Sequence, residues 1–327
     1  MRLLKLVPDD TNIGFLKWRN IAMAFSILTI IASIGLVAAK GLNFGVDFIG
    51  GQMIQATFTE TETAPIPELR DRIGALGYGD ATIQRFGDDN EVSIRMRLPA
   101  DAESRPEAAN EMTEKIVSTL KADHPDVRID GVESVSGKVS SELFETGAYS
   151  LLFAMIAISI YIWIRFEWQF GIGALFALFH DVALTFGLFA LTQMEFNLNT
   201  VAALLTIIGY SLNDTIVVFD RVRENLKKYR KMDIIALLDL SVNETLARTV
   251  MTSLTMLIAL GGLIIWGPDV IFGFSVAMFF GVFVGTYSSV YMAAPILIWL
   301  KVGTDTFVPA ESGNDKAERM DGPEQIG

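Results

Sequence analysis

The chain has 327 residues, of which 51% are hydrophobic and only 20% charged, with its apolar residues gathered into several runs about 20 residues long. Such a composition defines a polytopic membrane protein. A net charge of −12 and the absence of cysteine exclude a disulfide framework and a thiolate metal site, and argue against binding to nucleic acid.

Residues 1–20 are polar and carry Arg2, Lys5, Lys17 and Arg19, and residues 21–39 are apolar or small, which makes them the first span. Val37, Ala38 and Ala39 resemble a signal-peptide cleavage site. The run is longer than a signal core and five further spans follow, so it is read as a retained helix.

Residues 40–146 are the one stretch long and polar enough for a soluble domain, and with 20 acids against 11 bases they hold most of the negative charge. Strand alternation at 53–58, helical spacing at 66–76 and a hairpin of 81–86 with 91–98 around Gly87-Asp88-Asp89-Asn90 come first. A helix over 105–122, entered by Ser104 with Glu107 three positions on, and a strand over 127–135 complete the order βαββαβ. That order is the ferredoxin-like α+β pattern. Nothing in this domain looks catalytic, and His124 beside Pro125 reads as a turn residue. Where the first span ends, Asp47 and the pair Gly50-Gly51 read either as a turn into the first strand or as a hinge for the domain.

Residues 147–300 form a five-helix region, with apolar runs at about 148–164, 170–191, 198–219, 246–266 and 272–299. The last is long enough to require tilt or a break near Pro295. Six basic residues fall within 221–231, whereas 192–197 and 267–269 hold none. Basic loops face the cytoplasm, so both termini lie inside and the acidic domain outside. The tail, 301–327, is polar with Pro309 and Pro323, a composition that reads as a flexible cytoplasmic segment. No nucleotide loop, zinc signature or nucleophile motif appears, so neither a cofactor nor bond chemistry is expected, and work must be powered by a partner or the membrane gradient.

Two charges fall inside predicted spans. A carboxylate or guanidinium in lipid costs several kcal/mol unless paired, hydrated or neutralised. Asp214 lies on the fourth span, where Thr206, Tyr210 and Asn213 recur at three- and four-residue spacing. Arg248 opens the fifth span and leads a hydroxyl-rich stripe of Thr245, Thr249 and Thr252. The pair reads either as a fixed device for helix packing or as a proton relay. Burial favours the neutral acid and a neighbouring cation favours the carboxylate, so a movable cation switches proton affinity between the two sides. One proton crossing 100 mV releases roughly 2.3 kcal/mol, enough to bias a conformational equilibrium. His180 and Asp181, near the middle of the third span, read as a second relay station or as packing hydrogen bonds. Adjacent helical residues point about 100° apart and are not expected to face one pathway.

The segments LNFGVDFIGG at 42–51, IIGYSLNDTIVVFDRVREN at 207–225 and ETLARTVMTSLT at 244–255 resemble the signature segments of the SecF family of bacterial Sec protein-export subunits. The resemblance covers nearly the whole chain. It implies an inner-membrane subunit of the RND superfamily, paired with the related six-span SecD, associated with the SecYEG channel and YajC, and using proton-motive force to export preproteins. It also implies that SecD supplies a further essential carboxylate. An exporter of small molecules or lipids from the same superfamily, and a scaffold that only stabilises the channel, are the alternatives.

Overall fold

The computed structural model describes residues 7–8, 11–78, 81–85, 87–98 and 107–303. The expectations for Phe86, Ser104, Arg105 and most of the tail lie outside the described residues.

A short 3₁₀ turn, Phe15–Trp18, leads into α1, Arg19–Lys40. The short helix α2, Val46–Ile49, follows. The polar domain then contributes β1 (Gly51–Phe58), α3 (Ile66–Gly74), β2 (Thr82–Arg85), β3 (Glu91–Met96), α4 (Glu107–Asp123) and β4 (Val127–Val135). The sheet is antiparallel throughout, ordered β2-β3-β1-β4, as the βαββαβ pattern requires. Strand alternation sends Ile54, Ala56, Phe58, Val92 and Ile94 to one face, where Leu69 and Ile73 of α3 and Met112, Ile116 and Leu120 of α4 cover them. Gln55, Ser93 and Gln84, from the other face, line a cavity of about 420 Å³ together with Gln193, Glu195 and Asn199 from the membrane part. His124 packs edge-on to Phe58, a structural contact.

The remaining helices are α5 (Gly137–Arg165), α6 (Trp168–Thr192), α7 (Leu198–Lys228), α8 (Ile234–Trp266), α9 (Phe272–Ser288) and α10 (Ala294–Trp299). With α1, and with α9 and α10 counted as one path, they give six helices long and apolar enough to cross a membrane among the described residues. Several run past their apolar windows. Helix α5 starts at Gly137, capped by Ser136, and α8 at Ile234, capped by Asp233, because capping side chains rather than hydropathy set a helix start. At 33 residues α8 is about 50 Å long, well beyond a hydrocarbon core of about 30 Å. The last path breaks where Pro295 lacks an amide hydrogen: a π-helical stretch, Ser289–Ala293, separates α9 from α10.

Helices α6 and α7 are over half buried in their spanning windows (56% each), against 11% for α5 and 17% for α8. The bundle is therefore built around α6 and α7. Small residues allow the close crossings: Gly281 of α9 sits against Ile207 of α7, and Gly187 of α6 against Ser33 of α1.

The polar domain is fastened to the bundle at the exit of α1. Gly45 N–H donates to the Phe196 carbonyl (2.9 Å) and Phe196 N–H to that of Asn43 (2.8 Å). Asp47 Oδ2 accepts from the Leu198 amide (3.0 Å), so this carboxylate sits at the N-terminus of α7. Gly50 and Gly51 take positive φ values of 68° and 131°, and a Cβ on Gly51 would strike the Met96 carbonyl.

Candidate functional site

Helix α7 starts on a capping box between Asn197 and Thr200. Asp214 lies about 24 Å further along it, deep in the span. Its side chain is buried at 8% exposure. Oδ1 accepts from Thr249 Oγ1 of α8 (2.6 Å) and Oδ2 from Ser289 Oγ at the start of the π stretch (2.9 Å). Three elements thus converge on one carboxylate.

Arg248 takes a different place from the one its spacing suggests. It is exposed on the outward side of α8. Among the described residues its guanidinium forms no ion pair or hydrogen bond, and Thr249 rather than Arg248 bonds Asp214, while the Arg248 charge acts on that carboxylate from a longer distance. One helical step of about 100° accounts for this.

The other members of the predicted polar faces separate. Tyr210 approaches Ser253 Oγ (3.4 Å), which bonds Thr286 (2.7 Å). Thr206 and Thr252 are exposed and donate to carbonyls of their own helices, while the buried Thr245 does the same. Asn213 is exposed.

A second polar centre lies on α6. His180 and Asp181 are buried at 1% and 0% exposure, and His180 Nδ1 lies 2.9 Å from Asp181 Oδ1. Their ring and carboxylate meet at the tips although the two Cβ atoms diverge. Asp181 Oδ2 accepts from Ser211 Oγ of α7 (2.5 Å) and Ser288 Oγ of α9 (2.8 Å). Consecutive serines, Ser288 and Ser289, therefore serve Asp181 and Asp214 respectively. Sequence reasoning missed Ser211, Ser288 and Ser289. The adjacent serines just before the Pro295 break were the available signal.

At the domain end, Glu195 is half-buried. Burial holds its carboxyl above the usual glutamate range, Arg95 opposes that, and the charges of Glu133 and Asp47 reinforce it. Among the described residues no group of three or more histidine or acidic side chains is placed to hold a metal ion.

Fold and site together define a multi-pass helical membrane protein with an α+β domain at one end and two hydroxyl-bound carboxylates buried in its bundle. Residues 115–303 match the family described as protein export membrane protein SecD/SecF, C-terminal, and residues 35–62 match the SecD/SecF GG motif. A protein translocase subunit SecF from Rhodobacter capsulatus is 48% identical over 323 residues, covering 96% of each chain. One from Rickettsia felis is 41% identical over 295 residues, covering 90% of this chain and 94% of its own. The crystal structure of SecDF, a translocon-associated membrane protein from Thermus thermophilus, superimposes with a TM-score of 0.79 at 34% identity over 89% of this chain. SecDF in a super-membrane-facing form gives 0.67 at 31% identity over 98%. This chain spans only 39% and 41% of those two solved chains. It belongs to the SecD/SecF family, among its SecF translocase subunits.

Proposed function

We propose that this chain is the SecF half of a SecD–SecF pair that couples proton-motive force to preprotein export, working with the SecYEG channel and YajC. The carrying observation is Asp214: a carboxylate buried within the span, held by hydroxyls from two other elements, beside a helix whose outward face presents Arg248, which has no hydrogen-bond or ion-pair partner among the described residues. A guanidinium on a lipid-facing surface is costly, so that face calls for a protein partner with an acceptor.

The exposed residues of α7 support the same face. Ala202, Thr206, Gly209 and Asn213 recur every three to four residues within the spanning part of α7, a small and polar exposed stripe suited to close approach by another helix. SecD is the partner this reading assigns, with its carboxylate meeting Arg248. The longer SecDF chains among the solved structures lend support, since this chain corresponds to about two fifths of each.

In this reading protons reach Asp214 from the outside and are released inward, in an inner membrane with both termini cytoplasmic. His180 and Asp181 form a second station, and Asp47, Gly50 and Gly51 form the hinge that transmits movement to the domain. Asp214→Asn and Arg248→Met are expected to leave membrane insertion intact and abolish gradient-dependent export in reconstituted vesicles. Full export by both variants sinks the proposal. Export by the unaltered protein that survives an uncoupler would select the scaffold reading instead.

A further inference from the structure

A groove of about 600 Å³ lies between the connection following α1 and the adjoining ends of β2 and β3. Two of its polar lining groups are Arg95, near the end of β3, and Arg97, one residue beyond it. Arg95 is only 5% exposed. Its Nη1 donates to the Phe44 carbonyl and its Nη2 to Asn43 Oδ1 and Gln84 Oε1, each at 2.8 Å. Among the described residues its Nε has no partner and it makes no salt bridge. Glu195 feels its field without forming an ion pair. Arg97 is exposed. Thr82 and Tyr78 add hydroxyls, and no Asp or Glu among the described residues lines the groove.

A buried guanidinium whose hydrogen bonds all go to neutral acceptors, with Glu195 acting on it only from beyond ion-pair distance, keeps part of its charge uncompensated. This one occurs in a domain where acids outnumber bases 20 to 11, so its setting favours an anion against the domain's overall field. The remaining wall is apolar, with Leu42 and Ile49 among its members. They lie two and nine residues past Lys40, the end of the spanning helix α1, and Ile49 is 58% exposed. The groove therefore sits where the helix leaves the bilayer, cationic and hydroxylated at one side and apolar at the other.

We propose that this groove binds the phosphate headgroup of an anionic phospholipid, the two guanidiniums taking the phosphate and the acyl chains running along Leu42 and Ile49. Arginine is suited to this by the paired N–H geometry of its fork. The assignment stands on membrane embedding and not on proton coupling, so the failure of one leaves the other standing.

The test uses the full chain in phosphatidylcholine bilayers containing a minor fraction of phosphatidylglycerol, followed by gentle extraction and mass measurement of retained lipid. The unaltered chain should retain phosphatidylglycerol above its share of the bilayer. Arg97→Gln should lower that enrichment about tenfold, the scale of one charge-assisted bond. Arg95→Lys, which keeps the charge and removes Nε, should lower it too, whereas Lys121→Gln, an exposed cation in the last turn of α4, the helix that covers the opposite face of the sheet, should not. Should Arg95→Lys fail to fold, Arg97→Gln decides alone. Equal retention of the two lipids, or undiminished enrichment in Arg97→Gln, overturns the proposal. A parallel arm adds inorganic phosphate to phosphatidylcholine-only bilayers and follows protection of Arg97 from a guanidine-specific reagent. Protection by inorganic phosphate without protection by phosphatidylglycerol would overturn the lipid in favour of a soluble anion.

Discussion

Asp214 and Asp181 are each held by two hydroxyls from neighbouring elements, and those four hydroxyls differ from the many others in the bundle that bond only their own helix. Thr249→Val and Ser289→Ala each remove one donor to Asp214 and are expected to cost about 1 kcal/mol of bundle stability, the upper part of the range for interhelical bonds in membranes. Thr252→Val should cost close to nothing, since its hydroxyl serves carbonyls of α8 itself. Unfolding of the three variants in mild detergent against a denaturing one would check this, and equal effects would contradict it. Glu195 gives a pH-dependent counterpart outside the membrane. Its carboxyl is held above the usual range, so the folded protein binds that proton more tightly than the unfolded chain. The associated stability is present in acid and is lost as pH rises through the raised value. Glu195→Gln should therefore raise the unfolding temperature at neutral pH and leave it unaltered at a pH low enough to protonate the native glutamate. A gain confined to acid would reverse the assignment.

Among the elements, α7 and α9 carry the packing on which both carboxylates depend. A Cβ on Gly281 of α9 would collide with the buried Ile207 side chain of α7. Gly281→Ala is accordingly expected to destabilise the bundle by about 1–3 kcal/mol through overpacking and to displace Ser288 and Ser289 from their acceptors. Gly262→Ala on α8 meets nothing within 4 Å and should be neutral or gain up to about 1 kcal/mol from helix propensity. Thermal unfolding of the two variants separates a packing glycine from an incidental one. The break before Pro295 belongs at this scale too: the π stretch begins at Ser289, one residue after Ser288, so the irregular turn and the carboxylate partners coincide.

Across the whole molecule, the sheet's open face and the loops joining α6 to α7 and α8 to α9 enclose the 420 Å³ cavity, while hydrogen bonds at Asn43, Gly45 and Asp47 fasten the chain between them. If the domain swings during export, a bridge across that cavity should stop it. The chain has no cysteine, so Gln84→Cys with Asn199→Cys, joined by a short bismaleimide, gives a clean lock across two cavity-lining positions. Export in vesicles should fall when the bridge is formed and stay normal in the doubly substituted, uncrosslinked protein. Normal export with the bridge complete would remove the hinge role from Gly50 and Gly51 and leave them the turn that their positive φ values require.

Hydropathy alone located all six spans, because burying about 20 apolar residues in lipid is a one-dimensional requirement. Strand alternation and turn residues likewise spelled out the βαββαβ order, whose signals are local. Asp214 and His180-Asp181 stood out because a polar side chain in an apolar run is anomalous whatever its neighbours. Which groups those side chains meet was decided only in three dimensions. Ser211, Ser288 and Ser289 are unremarkable in an apolar helix until the crossing of α6, α7 and α9 brings them to a carboxylate. Arg248 looked like the partner of Asp214 by depth along its span, yet the rotation of α8 turned it outward and brought Thr249 in. Depth follows from counting residues along one helix, but facing depends on how two helices rotate against each other, and packing alone sets that.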